Sequence, residues 1–181
     1  MKMKKENLMP TVVLGVICLV VAAVLALVNG FTAPVIEQAA YERQQASLRE
    51  VMPDAASFEE MKDLTLTGAV RTVYRDTAGG GYVLLLETSS QYTGSEAMGI
   101  TVAVSPAGVI TGIKLTSYSE SKDFGKATYP GTYMGKDAAG VASADLVAGV
   151  TYSSTALRTA LSDALATLAD NGLTEGGAAH E

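Results

Sequence analysis

A chain of 181 residues with a formal net charge of −6 has room for one membrane anchor and one domain of ordinary size, and two domains would be a squeeze. Its one cysteine, Cys18, excludes an intramolecular disulfide or a thiolate cluster, and its one histidine, the penultimate His180, argues against mechanisms built on a histidine base or histidine metal ligands. Beyond Glu6 there are 10 basic against 18 acidic side chains, so no basic surface is available to neutralise a nucleic-acid backbone.

Residues 1–10 are short and basic, with Lys2, Lys4 and Lys5 opposed only by Glu6. Thr11 to Val28 follows as eighteen uncharged residues, near the lower end of what spans a bilayer at about 1.5 Å per residue. The basic flank predicts a cytoplasmic N-terminus and an extracytoplasmic remainder, in the cell membrane. A cleaved signal peptide is the weaker reading, because Ala23-Val24-Leu25-Ala26 would place cleavage inside the apolar run. Cys18 lies within that run and reads as a small hydrophobe. Residues 29–53 leave the membrane at Asn29-Gly30-Phe31-Thr32, restart a helix at Pro34, form a glutamine-rich stalk and stop at Met52-Pro53.

Residues 54–170 form the extracytoplasmic domain. The polar stretch 54–63 reads as a short helix or a loop. Thr65 to Arg75 and Tyr82 to Thr88 read as strands joined by a turn at Asp76 to Gly81. The three glycines there lack the spacing and the lysine of a phosphate loop. Ile100 to Val104 and Val109 to Leu115 form a second hairpin around Ser105-Pro106-Ala107-Gly108. With no crossover helix between these strands, the fold class is α+β with an antiparallel sheet.

Glu120 and Asp123 follow the last strand and read as solvated carboxylates rather than a catalytic pair. Tyr129 and Tyr133 stand in a loop-like segment. From Ser153 or Ser154 to Ala169, alanines and leucines recur at three- and four-residue intervals, which predicts an amphipathic helix packed on the sheet with Arg158 and Asp163 on its other side. Residues 171–181, glycine-rich, are expected to form a flexible tail.

Asp145 to Ser154 combines a glycine-containing turn with hydroxyls crowded at a helix start. As local chemistry, it offers an accessible hydroxyl on Thr151 beside the free N–H groups of a helix N-terminus, a favourable place for an anion. Ser153 and Ser154 are candidate further donors, and Gly149 supplies a conformation or close approach that a larger residue would hinder.

Taken together, these segments resemble a known family of FMN-binding domains: RnfG of the Rnf electron transport complex, related to NqrC of the sodium-pumping NADH:quinone reductase. The opening through Leu48-Arg49-Glu50-Val51-Met52-Pro53 is similar to that family's, as are Tyr92-Thr93-Gly94 and the strands around Pro106 to Ile110. Tyr118 to Gly125 corresponds to a family segment of the form His-x-Glu-Thr-Pro-Gly-Leu-Gly, keeping Glu120 and Gly125. The family's flavinylation motif, Asp-x-x-Ser/Thr-Gly-Ala-Thr with hydroxyl residues after it, is matched at Asp145, Gly149, Thr151, Ser153 and Ser154, with Ala148 and Val150 at the two departing positions.

The resemblance implies an electron-transfer subunit of a membrane ion-translocating complex, not an independent enzyme. It implies FMN joined through a phosphodiester to Thr151, with Gly149, Asp145, Ser153, Ser154, Glu120, Tyr118 and Tyr92 around it. Tyr118, Tyr129, Tyr133 and Tyr152 are the candidate aromatic walls for the ring. The implied partners are the other membrane and redox subunits, and a flavin transferase for maturation. The alternative is an extracytoplasmic domain that binds FMN reversibly or has lost its redox role.

Overall fold

The computed structural model describes residues 8–89, 97–118 and 129–174. The chain divides into two compact units, Met1–Gln44 and Gln45–Glu181. The first is dominated by helix α1, which spans Leu8–Arg49, so that its last residues belong to the second. Its apolar part is the one helix among the described residues long and apolar enough to cross a membrane, with a mean hydropathy of 3.0.

The expected break at Asn29 to Thr32 does not occur, and α1 passes through Pro34 without ending. Proline withholds only the bond to the carbonyl four residues back, here Gly30, and helix-forming sequence on both sides carries the helix across. Thr32 turns its hydroxyl onto the Val28 carbonyl at 2.6 Å.

In the second unit five strands form an antiparallel meander in the order β1 to β5: Phe58–Met61, Val70–Asp76, Tyr82–Ser89, Ala97–Val104 and Ile110–Ser117. The strand β1 stands where a short helix or loop was expected. Pairing with β2, Phe58 opposite Asp76 and Met61 opposite Val73, gives this four-residue segment a ladder that its own polar sequence does not announce. Both expected turns are present. Asp76 is buried and its carboxylate accepts the N–H groups of Ala78 and Gly80 at 3.1 and 2.9 Å, while Gly108 at φ +75° closes the second hairpin with Gly108 N–H on the Ser105 carbonyl at 2.9 Å.

The sheet buries both faces. On one face Val73, Leu84, Ile100, Val102 and Ile110 pack against helix α3, Thr151–Asp170, through Leu157, Leu161 and Leu168. On the other, Tyr74, Val83 and Ala103 pack against Leu48, Val51, Met52 and Phe58. Gln45 is buried there and its side-chain amide pairs with both backbone groups of Phe58, donating to the carbonyl at 3.0 Å and accepting from the N–H at 2.9 Å.

A polar ladder ties the segment before β2 to α3. Ala69 N–H donates to Asp163 at 2.9 Å, Thr67 N–H to the Thr167 hydroxyl at 3.2 Å, and Thr65 N–H to Asn171 at 3.1 Å. The three side chains lie one helical turn apart, about 6 Å in rise, and take alternate residues of the facing chain. Gly68, at φ +53°, has no room for a side chain: an added Cβ would lie 2.5 Å from the Asp163 carboxyl carbon.

The ladder corrects one expectation: Asn171, placed at the start of the flexible tail, is held, since its amide also donates to the Thr65 carbonyl at 3.0 Å and to the Thr167 carbonyl at 2.7 Å. It also explains why Thr65 to Ala69 does not join β2, because the amides of Thr65, Thr67 and Ala69 are taken by side chains. We expect Thr167→Val to lower stability by about 1–2 kcal/mol, leaving the Thr67 amide without its acceptor. A urea titration checks this through a lower midpoint at unchanged slope.

Candidate functional site

Helix α2, Ala138–Ala142, was not anticipated from the sequence. Asp137 caps it by accepting the Gly140 N–H at 2.8 Å, and Val141 is its buried residue. The chain then descends to α3, held on the way by Arg158, which donates to the Ala144 carbonyl at 3.1 Å. Arg158, placed on the outer face of α3 by its spacing, is thus a tether for the segment that carries the candidate site.

That segment ends in a tight turn. Val150 N–H donates to the Val147 carbonyl at 3.2 Å, and Gly149 at the third position has φ +85°, a left-handed value that type II turns require there. Helix α3 starts directly afterwards at Thr151, two to three residues earlier than its periodicity suggests. Its N-cap is Val150, which offers no side-chain acceptor. The N–H groups of Thr151 and Tyr152 have no hydrogen-bond partner among the described residues.

The early start decides where each hydroxyl points. Thr151 and Tyr152 are exposed, whereas Ser153 and Ser154 face inward and are buried. The Ser154 hydroxyl meets the carbonyls of Val150 at 2.9 Å and Thr151 at 3.1 Å. The pair is therefore not a set of outward donors: Ser154 has its proton committed within the first turn of the helix. Asp145 is exposed and makes no side-chain hydrogen bond among the described residues.

Beside Thr151 lies a groove of about 400 Å³ lined by Thr151, Tyr152, Thr155, Ala156 and Thr159 of α3 and by Thr88 and Ser89 at the end of β3. The sequence pattern singled out Thr151 and Tyr152 and missed the other five. For Thr155 and Thr159 the signal was their spacing from Thr151, which repeats every fourth residue on the helix face away from the leucines.

Of the four tyrosines considered as ring walls, the structure separates two from two. Tyr133, in the 3₁₀ turn Pro130–Tyr133, is fully buried, and its hydroxyl lies 3.1 Å from that of half-buried Tyr129, with the rings edge-to-face at 5.8 Å. These two belong to the core under the sheet. Tyr152 is 58 % exposed in the groove, and Tyr118 is also exposed, just past β5. Tyr92 and Glu120 lie outside the described residues.

Burial, and next the hydrogen bond with Tyr129, push the Tyr133 phenol above its ordinary pKa of 10.0. The folded state therefore holds a proton that the unfolded chain releases. Stability from this group is complete below 10.0 and lost as pH rises through the folded-state value. Thermal melts between pH 9 and pH 11 should show a declining midpoint, with a shallower decline in Tyr133→Phe.

Comparison with known families gives two matches. Residues 3–51 match the RnfG N-terminal region, and residues 94–166 match the FMN-binding domain. The second match runs from the start of β4 through most of α3, and so takes in the Gly149 turn, Thr151 and the helical wall of the groove. No curated protein matches the chain.

Proposed function

This chain carries an RnfG N-terminal region and an FMN-binding domain, an arrangement consistent with the RnfG/NqrC family, and we propose that it is the electron-transferring flavoprotein subunit of a membrane ion-translocating complex. FMN is its cofactor, attached through a phosphodiester at the Thr151 hydroxyl. The observation that carries this reading is the position of Thr151: an exposed hydroxyl on the first residue of an uncapped 20-residue helix, at the edge of a groove, within the matched FMN-binding domain.

The residues present fit the group. A phosphate at Thr151 finds the N–H groups of Thr151 and Tyr152, which have no partner among the described residues, and the positive end of the helix dipole. Gly149 permits the turn that brings the chain into the helix at that angle. Arg158 holds the approaching loop through Ala144. The exposed ring of Tyr152 offers an aromatic surface in the groove.

When bound, FMN supplies the redox chemistry, and the chain's own work is to hold and orient it. The N-terminus is cytoplasmic and the FMN domain extracytoplasmic in this reading, with α1 as the single span. Its partners are the other membrane and redox subunits of an Rnf-like complex, and a flavin transferase installs the cofactor.

Intact mass of the denatured chain from its native membrane tests the reading. The expected result is a polypeptide carrying one FMN through a phosphoester, mapped to the peptide that contains Thr151. A second reading, reversible FMN binding, is favoured by Ala148 and Val150 where the flavinylation motif has a hydroxyl residue and alanine. It predicts bare polypeptide after denaturation and yellow protein before it. Bare and colourless protein in both states would rule out the flavin role altogether.

A further inference from the structure

Thr151, Thr155 and Thr159 recur at every fourth residue of α3 and line one wall of the groove, so their hydroxyls are spaced at about 6 Å along it. Thr88 and Ser89 contribute two further hydroxyls from β3. None of the seven lining residues is charged. Such a surface suits a neutral, multiply hydroxylated ligand, because each hydroxyl both donates and accepts.

Thr155 and Thr159 differ from three other hydroxyl residues in the helices of this chain. Thr32, Ser154 and Thr167 each turn back to bond the carbonyl four residues earlier, at 2.6, 2.9 and 2.8 Å. Thr155 and Thr159 have the same option and do not take it, and neither they nor Thr88 and Ser89 make a side-chain hydrogen bond among the described residues. Helix stability does not account for the pattern either, since threonine is a poorer helix former than the alanine that fills much of α3. The hydroxyls are left available to the groove.

We propose that Thr155 and Thr159, with Thr88 and Ser89 across the groove, bind the hydroxylated ribityl chain of the flavin whose phosphate Thr151 carries. This rests on the flavin reading of the groove and adds to it a polyol-recognising wall. The ribityl chain is then selected by hydrogen bonds before attachment, and a flavin lacking the polyol enters only through its ring. Tyr152 and Ala156 supply the apolar part of the same lining.

The test uses the full-length chain in detergent with Thr151→Val as the parent, so that binding stays reversible. Flavin fluorescence is titrated with FMN and with lumiflavin, whose ring carries a methyl group in place of the ribityl phosphate. Adding T155V and T159V is expected to weaken FMN binding about ten- to thirtyfold, the loss of two hydrogen bonds, while lumiflavin binding is unchanged. T155S with T159S is expected to restore FMN affinity, because serine keeps the hydroxyls. FMN bound equally well by the double valine variant overturns the proposal and leaves the flavin reading intact. Equal loss of FMN and lumiflavin also overturns it, by showing a packing effect. A parent that binds neither flavin overturns the proposal together with the flavin reading beneath it.

Discussion

Replacing Thr151 by valine should give a chain whose denatured mass is that of the bare polypeptide, with covalent flavin lost completely rather than reduced. Valine keeps the branched shape of threonine and removes only the hydroxyl, so nothing else at this exposed first helical position needs to change. Within the first turn of α3 no other serine or threonine hydroxyl is placed to take over. Ser153 and Ser154 are buried, with the Ser154 hydroxyl held against two carbonyls, and Thr155 lies one turn further along the helix. Stability should stay within about 0.5 kcal/mol of the parent, as for surface changes remote from packing. Thr151→Ser, which restores a hydroxyl at the same place, should regain an adduct. An adduct persisting on the Thr151→Val chain would move the attachment site elsewhere.

Much of this was legible in the sequence because the strongest local signals agree with the tertiary structure. The apolar N-terminal run, the Asp76 to Gly81 and Ser105 to Gly108 turns, and the leucine–alanine face of α3 are each set by short-range rules, and the structure contains all of them. What escaped depends on partners distant in sequence. The strand β1 is polar and gains its conformation from pairing with β2. Thr65 to Ala69 reads as strand and is captured instead by Asp163, Thr167 and Asn171, roughly a hundred residues away.

The candidate site divides the same way. Thr151 and Gly149 stood out through the motif and the turn. The roles of Ser153 and Ser154 turned on where the helix starts, which periodicity locates only to within a few residues. With Thr151 as the first helical residue, the two serines fall on the inward face, and the outward hydroxyls become Thr155 and Thr159. The opposite wall, Thr88 and Ser89, could be found only once β3 was placed against α3.

The largest structural penalty should come from a position far from that groove. Gly112 lies in β5 opposite Ala103, and on the sheet face away from α3 the backbone of Val51 rests directly on it. A Cβ at Gly112 would meet the Val51 carbonyl oxygen, with the carbonyl carbon at 2.9 Å and Cα at 3.1 Å. These are backbone atoms and cannot swing aside as a side chain would. Gly112→Ala must therefore lift the segment around Val51 off the sheet, loosening a layer that includes Leu48, Met52 and Phe58. The expected cost is about 3 kcal/mol, the upper part of the usual range for overpacking. That corresponds to a thermal midpoint lower by roughly 10 °C. Trypsin should also cut faster after Arg49, whose side chain in the parent is held on the Ala56 carbonyl at 2.6 Å. Gly131→Ala is the control, since an added Cβ there meets nothing within 4 Å, and it should melt with the parent. Because Gly112 sits beneath the layer opposite α3, the folded Gly112→Ala chain should still carry flavin at Thr151, and loss of stability and loss of cofactor should separate cleanly between these two positions.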